Sequence, residues 1–316
     1  MLTRADNASA LRTIFQQEWW LDCATGGQFK EVTIQKGGQT VGWLPYAVQK
    51  RWGLLPISDM PLLTHTLGPV ITPGTGRPNA QLLREFEITL ELLEKLPKLA
   101  HFRQILTPSS SEALGFQAFG CHVRIQYTFI AKCTNIDERW QGMKDKTRNV
   151  LRRSQERNIV AAADAEEFLR FYDLNCVAGK RLNRYLDPKT KKLLDLCCAR
   201  DQGKVFLSKD RNSGAANAGI FVVWDDRCMY YLMSTRQASA DSGAVCLLLW
   251  EAMMEAHRRG LDFDLDGVTS LGTFKFLSGF GGDLARRLIV EKFSLIYHTL
   301  DKFRALTYGA LRRSFD

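Results

Sequence analysis

Residues 243–267 read GAVCLLLWEAMMEAHRRGLDFDLDG. Val245, Leu248, Leu249, Ala252, Met253 and Ala256 fall at i, i+3, i+4, i+7, i+8 and i+11, one apolar stripe of a helix from Gly243 to Arg259. Gly260 stops it, because glycine takes the left-handed terminal conformation without a Cβ clash. Leu261 to Leu265 then alternates with Asp262 and Asp264, the period of a strand that ends at Asp266-Gly267.

Working outward, Lys204–Ser208, Ala218–Trp224 and Arg227–Ser234 read as three strands, joined by Asn212-Ser213-Gly214 and Asp225-Asp226 turns. Before them, Asp164 with Glu167 three residues on opens a helix through Phe168, Phe171 and Leu174 towards Lys180-Arg181. Leu186-Asp187-Pro188 ends an element. Between Trp140 and Val160 stand Lys144, Lys146, Arg148, Arg152, Arg153 and Arg157. Lys144, Arg148 and Arg152 share one helix face. The first half follows a similar plan: a helix over 8–24, a hairpin about Gly37-Gly38, a Pro- and Gly-rich loop over 53–78, and a helix from Asn79 to Leu96. Strands at 102–106 and 123–131 complete it, and Leu288–Tyr297 is a late strand before a basic tail. The second long helix starts 164 residues after the first (Gly243 against Asn79), so the repeat is one of architecture.

The chain has 316 residues, 45% hydrophobic and 24% charged, which excludes a disordered or collagen-like protein. The longest apolar run, Ala244–Trp250, is far short of the roughly 20 residues of a membrane helix. With no secretory pattern at the start, the expected compartment is the cytoplasm. The eight cysteines show no CxxC pair and no histidine at ligand spacing, so no metal site is expected and the thiols read as reduced. With 43 basic and 34 acidic residues the net charge is +9, which favours anionic partners: nucleic acid, phosphorylated co-substrates or anionic lipid surfaces.

Three segments carry a resemblance: KTRNVLRRSQERNI at 146–159, LLLWEAMMEAHRRGLDFDLDG at 247–267 and FKFLSGFG at 274–281, with EWWL at 18–21 in support. In that order the sequence resembles the double-GNAT superfamily of Fem peptidyltransferases and CelD-like acyltransferases. The resemblance implies an α+β fold of two tandem GNAT-like lobes with a cleft between them. It places an N-terminal lobe at 1–140, a basic connecting helix at 141–160 and a C-terminal lobe at 161–316. It also implies an acyltransferase. The donor is an acyl thioester, on coenzyme A or acyl carrier protein, and the acceptor is an amine or hydroxyl of a sugar- or peptide-containing molecule. No permanently bound cofactor is implied. In the Fem branch the donor is aminoacyl-tRNA, a second reading. A basic protein that binds nucleic acid or a membrane surface, keeping the fold without the chemistry, is a third.

Acyl transfer needs a proton acceptor, an oxyanion stabiliser and aligned reactants. Lys275, between Phe274 and Phe276 and before a Gly-rich turn, is the candidate for substrate or transition-state charge; a surface lysine on a tight turn has the same local sequence. Asp266, or Asp264 in the same run, can orient an acceptor amine or take its proton; a turn former reads the same way. Arg181 and Tyr185 match the Fem segment that contacts acceptor phosphates, with Arg184 the alternative to Arg181. Alternation puts at most one of Tyr230 and Tyr231 on the site, and Tyr231 is taken as substrate-binding with Phe274. By resemblance, Ser234 borders the donor's pantetheine arm, and Arg236 and Gly243 frame its pyrophosphate loop. Arg148 and Arg152 are candidates for a phosphorylated donor or tRNA. The glycine spacing between Arg236 and Gly243 departs from the family pattern, and Asp241 within it repels phosphate. His65 in the Pro-rich loop is a weak candidate.

Overall fold

The computed structural model describes residues 12–108 and 110–302. The start of the expected first helix and the basic tail beyond residue 302 lie outside them. The chain forms two compact units: unit 1 comprises residues 1–125 and 287–316, and unit 2 residues 126–286. These limits differ from the expected lobes. The basic helix lies inside unit 2, and the last strand returns to unit 1.

Unit 1 begins with α1 (Glu18–Thr25), ended by left-handed Gly26, and the hairpin β1 (Phe29–Lys36) and β2 (Gln39–Ala47). Short β3 (Gln49–Arg51), β4 (Leu55–Ser58) and β5 (Val70–Ile71) occupy the Pro-rich stretch. Helix α2 (Pro78–Glu94), β6 (His101–Ile105), α3 (Ala113–Ala118) and the start of β7 (His122–Ala131) follow. Val32, Ile34, Leu44, Ile88, Leu92 and Phe116 form the core of this unit.

Unit 2 contains α4 (Ile136–Gly142), α5 (Asp145–Arg157), β8 (Asn158–Ala163), α6 (Ala165–Ala178) and α7 (Pro188–Ala199). Strands β9 (Gly203–Asp210), β10 (Ala216–Trp224) and β11 (Cys228–Arg236), helix α8 (Ala244–Arg258), β12 (Asp262–Gly267) and α9 (Leu271–Leu277) follow. Strand β13 (Asp283–Phe293) starts in unit 2 and pairs in unit 1 with β6, Ile289 opposite Ile105. The order of strands in unit 2 is β7-β12-β11-β10-β9-β8.

Asp187-Pro188 starts a helix rather than ending one. The Asp187 carboxylate accepts from the Lys189 N–H, and proline fits the first helical position. The Asp164 capping expectation holds, its carboxylate accepting from the Glu167 N–H at 2.7 Å. The FKF segment forms helix α9, capped by Ser270, where a turn was expected.

Helix α8 is buried on more than its one stripe, because it packs on α5 as well as on strands β9 to β12. Its C-terminal end carries an ionic cluster about the buried Glu255. The Glu255 carboxylate accepts from Arg258 at 2.7 Å and Arg259 at 2.9 Å, with Lys204 of β9 at 3.4 Å. Arg259 also forks onto Asp201 at 3.0 and 3.1 Å and lies 4.3 Å over the Trp224 ring.

Candidate active site

Strands β11 and β12 run parallel, paired Cys228 to Asp262, Met229 to Phe263 and Tyr230 to Asp264. The pairing stops there, while β11 continues to Arg236. β12 leaves because Asp266 takes a left-handed conformation, φ 72°. Two backbone bonds hold it: its N–H donates to the Asp264 carboxylate at 2.9 Å, and its carbonyl accepts from the Thr128 hydroxyl at 2.7 Å. Aspartate tolerates this region better than most residues. From Tyr231 onward the β11 backbone has no β12 partner.

Two phenols, Tyr231 and Tyr185, feel the Asp266 carboxylate, and a third, Tyr172, adjoins them. Alternation resolves the adjacent pair: the Tyr230 hydroxyl is buried on Asp225 at 2.9 Å, while Tyr231 turns towards Asp266. Burial pushes the Tyr231 phenol up to about 12; Asp266 and Tyr172 add to this, and a hydrogen bond with Ser234 opposes it. Tyr185 is raised first by burial and then by Asp266, with Arg184 opposing. Tyr172 is raised by burial, then by Tyr185 and Cys176, against Arg181 and Arg184. Its ring meets that of Tyr185 edge-on at 5.5 Å. The loop between α6 and α7 sets Tyr185 in place. Asn183 donates to Asp173 at 2.9 Å and accepts the Tyr185 N–H at 2.9 Å. All three phenols therefore stay protonated near neutral pH.

Tyr185, Tyr231, Ser234 and Asp266 thus come together, with the exposed Arg181 and Arg184 at the rim. Tyr172 was missed, although it stands on the amphipathic helix just before the Arg181–Tyr185 segment. Lys275 is exposed on α9, outside any glycine cradle, and Phe274 packs against Phe129 with ring centres 5.8 Å apart. Lys144, not Lys275, reaches the Ser278 hydroxyl, at 2.8 Å. The glycines that follow serve close packing. At Gly282, φ 97°, a Cβ would stand 2.8 Å from the Ile130 carbonyl oxygen. Gly282→Ala is expected to destabilise the protein by about 2–4 kcal/mol, measured by urea unfolding, with an unchanged midpoint the contrary result.

Arg148 is spent on structure. It donates to the Trp140 and Gln141 carbonyls at 3.1 and 2.9 Å and pairs with Asp145. Arg152 is exposed, 5.3 Å over the Trp140 ring. Arg236 donates weakly to the Ala240 carbonyl at 3.4 Å. Gly243 caps α8 where α5 presses in: a Cβ there would lie 2.9 Å from Ser154 and 3.0 Å from Val150. At this helix start the Asp241 carboxylate accepts from the Gly243 N–H at 3.3 Å and from Arg157 at 3.4 Å. The chain's own anion stands where a phosphate would be favoured. Among the described residues, no cluster of three or more His, Cys, Asp or Glu suits a metal ion, and no helix is long and apolar enough to cross a membrane.

Residues 141–274 match the family model for the acetyltransferase (GNAT) domain. Among solved structures the chain is similar to FemX, with a TM-score of 0.69 at 12% identity over 92% of this chain and 96% of that one. It is similar to the C-terminal domain of a putative lysylphosphatidylglycerol synthetase from Agrobacterium fabrum, with a TM-score of 0.56 at 13% identity over 93% and 94%. L-PGS from Bacillus licheniformis gives 0.52 at 12% identity over 91% and 90%. No curated protein matches the chain by sequence.

Proposed function

The chain has the double-GNAT, Fem-like fold with a GNAT-type acetyltransferase segment, and on that footing we propose that it transfers an aminoacyl group from an aminoacyl-tRNA ester to an amine or hydroxyl of a sugar- or peptide-containing acceptor. The observation that carries the reaction type is the Asp266 carboxylate beside the protonated phenols of Tyr185 and Tyr231 where β11 and β12 part. Asp266 takes the proton of the acceptor as its nitrogen or oxygen attacks the ester carbonyl carbon. A phenol of Tyr231 or Tyr185 hydrogen-bonds the developing oxyanion, the C–O bond to the donor breaks, and the departing oxygen leaves with a proton. Arg181 and Arg184 at the rim supply charge for an anionic acceptor.

The choice of donor rests on Asp241. A coenzyme A diphosphate at the start of α8 would meet a carboxylate already holding the Gly243 N–H. An ester on a tRNA end brings no diphosphate there. Calorimetric titration is expected to give no saturable heat with acetyl-CoA, and binding of aminoacyl-tRNA that weakens by orders of magnitude between low and moderate salt. Asp241→Ala is expected to improve acetyl-CoA affinity at least tenfold. Saturable acetyl-CoA binding by the unaltered protein would make a thioester the donor instead, with carrier-protein thioesters next in the screen.

A further inference from the structure

Single exposed apolar side chains are ordinary on a protein surface, but a cluster of them is not. Among the described residues of unit 2, most of the exposed large apolar side chains stand within 174–186 or 271–276; Tyr127, Ile159 and Leu284 are the others. The first segment is the end of α6 with the loop to α7. Leu174 and Val177, three apart on one face of α6, are 61% and 69% exposed, and Leu182 and Leu186 in the loop are 82% and 66% exposed. The second is α9, where Leu271 is 67% exposed and Phe274 and Phe276 are partly so. Both segments adjoin Asp266. Tyr185 of the loop feels its carboxylate, and α9 follows it after the short turn 268–270.

The charge on the two segments has one sign. Lys180, Arg181 and Arg184 in the first and Lys275 in the second are all exposed, and neither segment contains an aspartate or glutamate. The acids that bracket the loop are engaged elsewhere. Asp173 accepts from Asn183 at 2.9 Å, and Asp187 accepts from the Lys189 N–H and pairs with its ammonium at 3.1 Å. Lys144, beside α9 on the Ser278 hydroxyl, adds a further exposed cation.

Cations and leucines thus alternate along Lys180-Arg181-Leu182-Asn183-Arg184-Tyr185-Leu186. A nucleic-acid backbone rewards the cations and leaves the leucines in water. An anionic bilayer accepts both. Leucines enter the boundary between headgroups and acyl chains, and lysine and arginine stems lie along it with their charges on lipid phosphates. Stable attachment at a membrane surface takes two signals, and an apolar and a basic one stand here on the same segments. The net charge of +9 draws the whole chain to such a surface.

We propose that this face of unit 2 seats on a membrane surface rich in anionic lipid, with Leu182 and Leu186 in the headgroup–acyl boundary and Lys180 and Lys275 on lipid phosphates. The attachment is read without donor or acceptor, so its failure and the failure of the transfer reaction are separate results.

The test is cosedimentation of the full chain with vesicles of phosphatidylcholine alone, and of about three parts phosphatidylcholine to one of phosphatidylserine, at moderate salt. Partition onto the anionic vesicles is expected to be at least tenfold the stronger. Leu182→Asn with Leu186→Asn should weaken it at least tenfold with no change in charge. Lys180→Gln should weaken it about fivefold, the weight of one cation at an anionic surface. The replaced side chains are exposed, so the urea midpoints should match that of the unaltered protein. If the paired leucine variant does not fold, Leu271→Asn on α9, expected to weaken partition at least threefold, decides. Equal partition onto the two kinds of vesicle, no partition onto either, or leucine variants that partition as the unaltered protein does would overturn the proposal. A loop that holds an oligoribonucleotide and no vesicle would overturn it too, and make this an RNA surface.

Discussion

Replacing Asp266 by asparagine is expected to lower turnover by about a hundred- to a thousandfold, the usual worth of a positioned general base, and to leave the fold standing. Asparagine accepts the left-handed conformation as readily as aspartate. The bonds that fix residue 266 come from its backbone N–H and carbonyl, so they survive the exchange. What is lost is the carboxylate that faces the phenols. A readout free of substrate accompanies the rate. Asp266 is among the groups that raise Tyr231, pushed up chiefly by burial to about 12, and it also raises Tyr185. An ultraviolet titration of Asp266→Asn should find both phenols ionising at lower pH than in the unaltered protein. Full turnover with unshifted phenols would remove Asp266 from the chemistry. A loss of turnover with unshifted phenols would indicate a distorted loop rather than a missing base.

Glu255→Gln is expected to weaken the fold away from the site, in a way that depends on pH. Burial alone would push this carboxyl up. Hydrogen bonds from Arg258 and Arg259, with Lys204 nearby, more than offset that and hold it at about 2, against the usual 4.5. That gap is worth at most about 3 kcal/mol of folding stability. Because the folded value is the lower one, the contribution is complete above pH 4.5 and is lost as pH falls towards 2. Glutamine removes the charge and leaves three cations around a neutral amide. With the cations partly in solvent, a cost of about 1–3 kcal/mol at pH 7 follows. Urea unfolding at pH 7 and at pH 3 should show the deficit shrinking in acid. A deficit of equal size at both values would assign it to packing.

The helix and strand over 243–267 were legible because each has a strong single period, and because Gly260 marks the boundary between them. The same holds for the hairpin about Gly37-Gly38 and the Asp164 cap. Asp187-Pro188 misled because an Asp-Pro pair serves either end of an element, and only the apolar spacing of Leu193, Leu194 and Cys197 beyond it tells which. The FKF segment misled because seven residues are too few to show a period. At the site, Tyr185, Tyr231, Ser234 and Asp266 were nameable one at a time. Their meeting depends on the left-handed turn at Asp266 and on a loop folded back by Asn183, neither of which has a local sequence signal. Arg148 shows the converse. Its spacing promised a basic face, but two carbonyls at the end of α4 lie within its reach.

The return of β13 to unit 1 also sets an order of events on the ribosome. Strand β6 waits for Ile289 to meet Ile105, a partner made 184 residues later. At about 5–20 residues per second this is roughly 10–40 seconds of translation, during which all of unit 2 emerges and one edge of β6 stays open. An open edge is a template for pairing with other chains. A nascent chain halted before residue 287 would therefore carry a whole unit 2 and a unit 1 with an unfilled seam, and that seam is where premature termination would turn into aggregation.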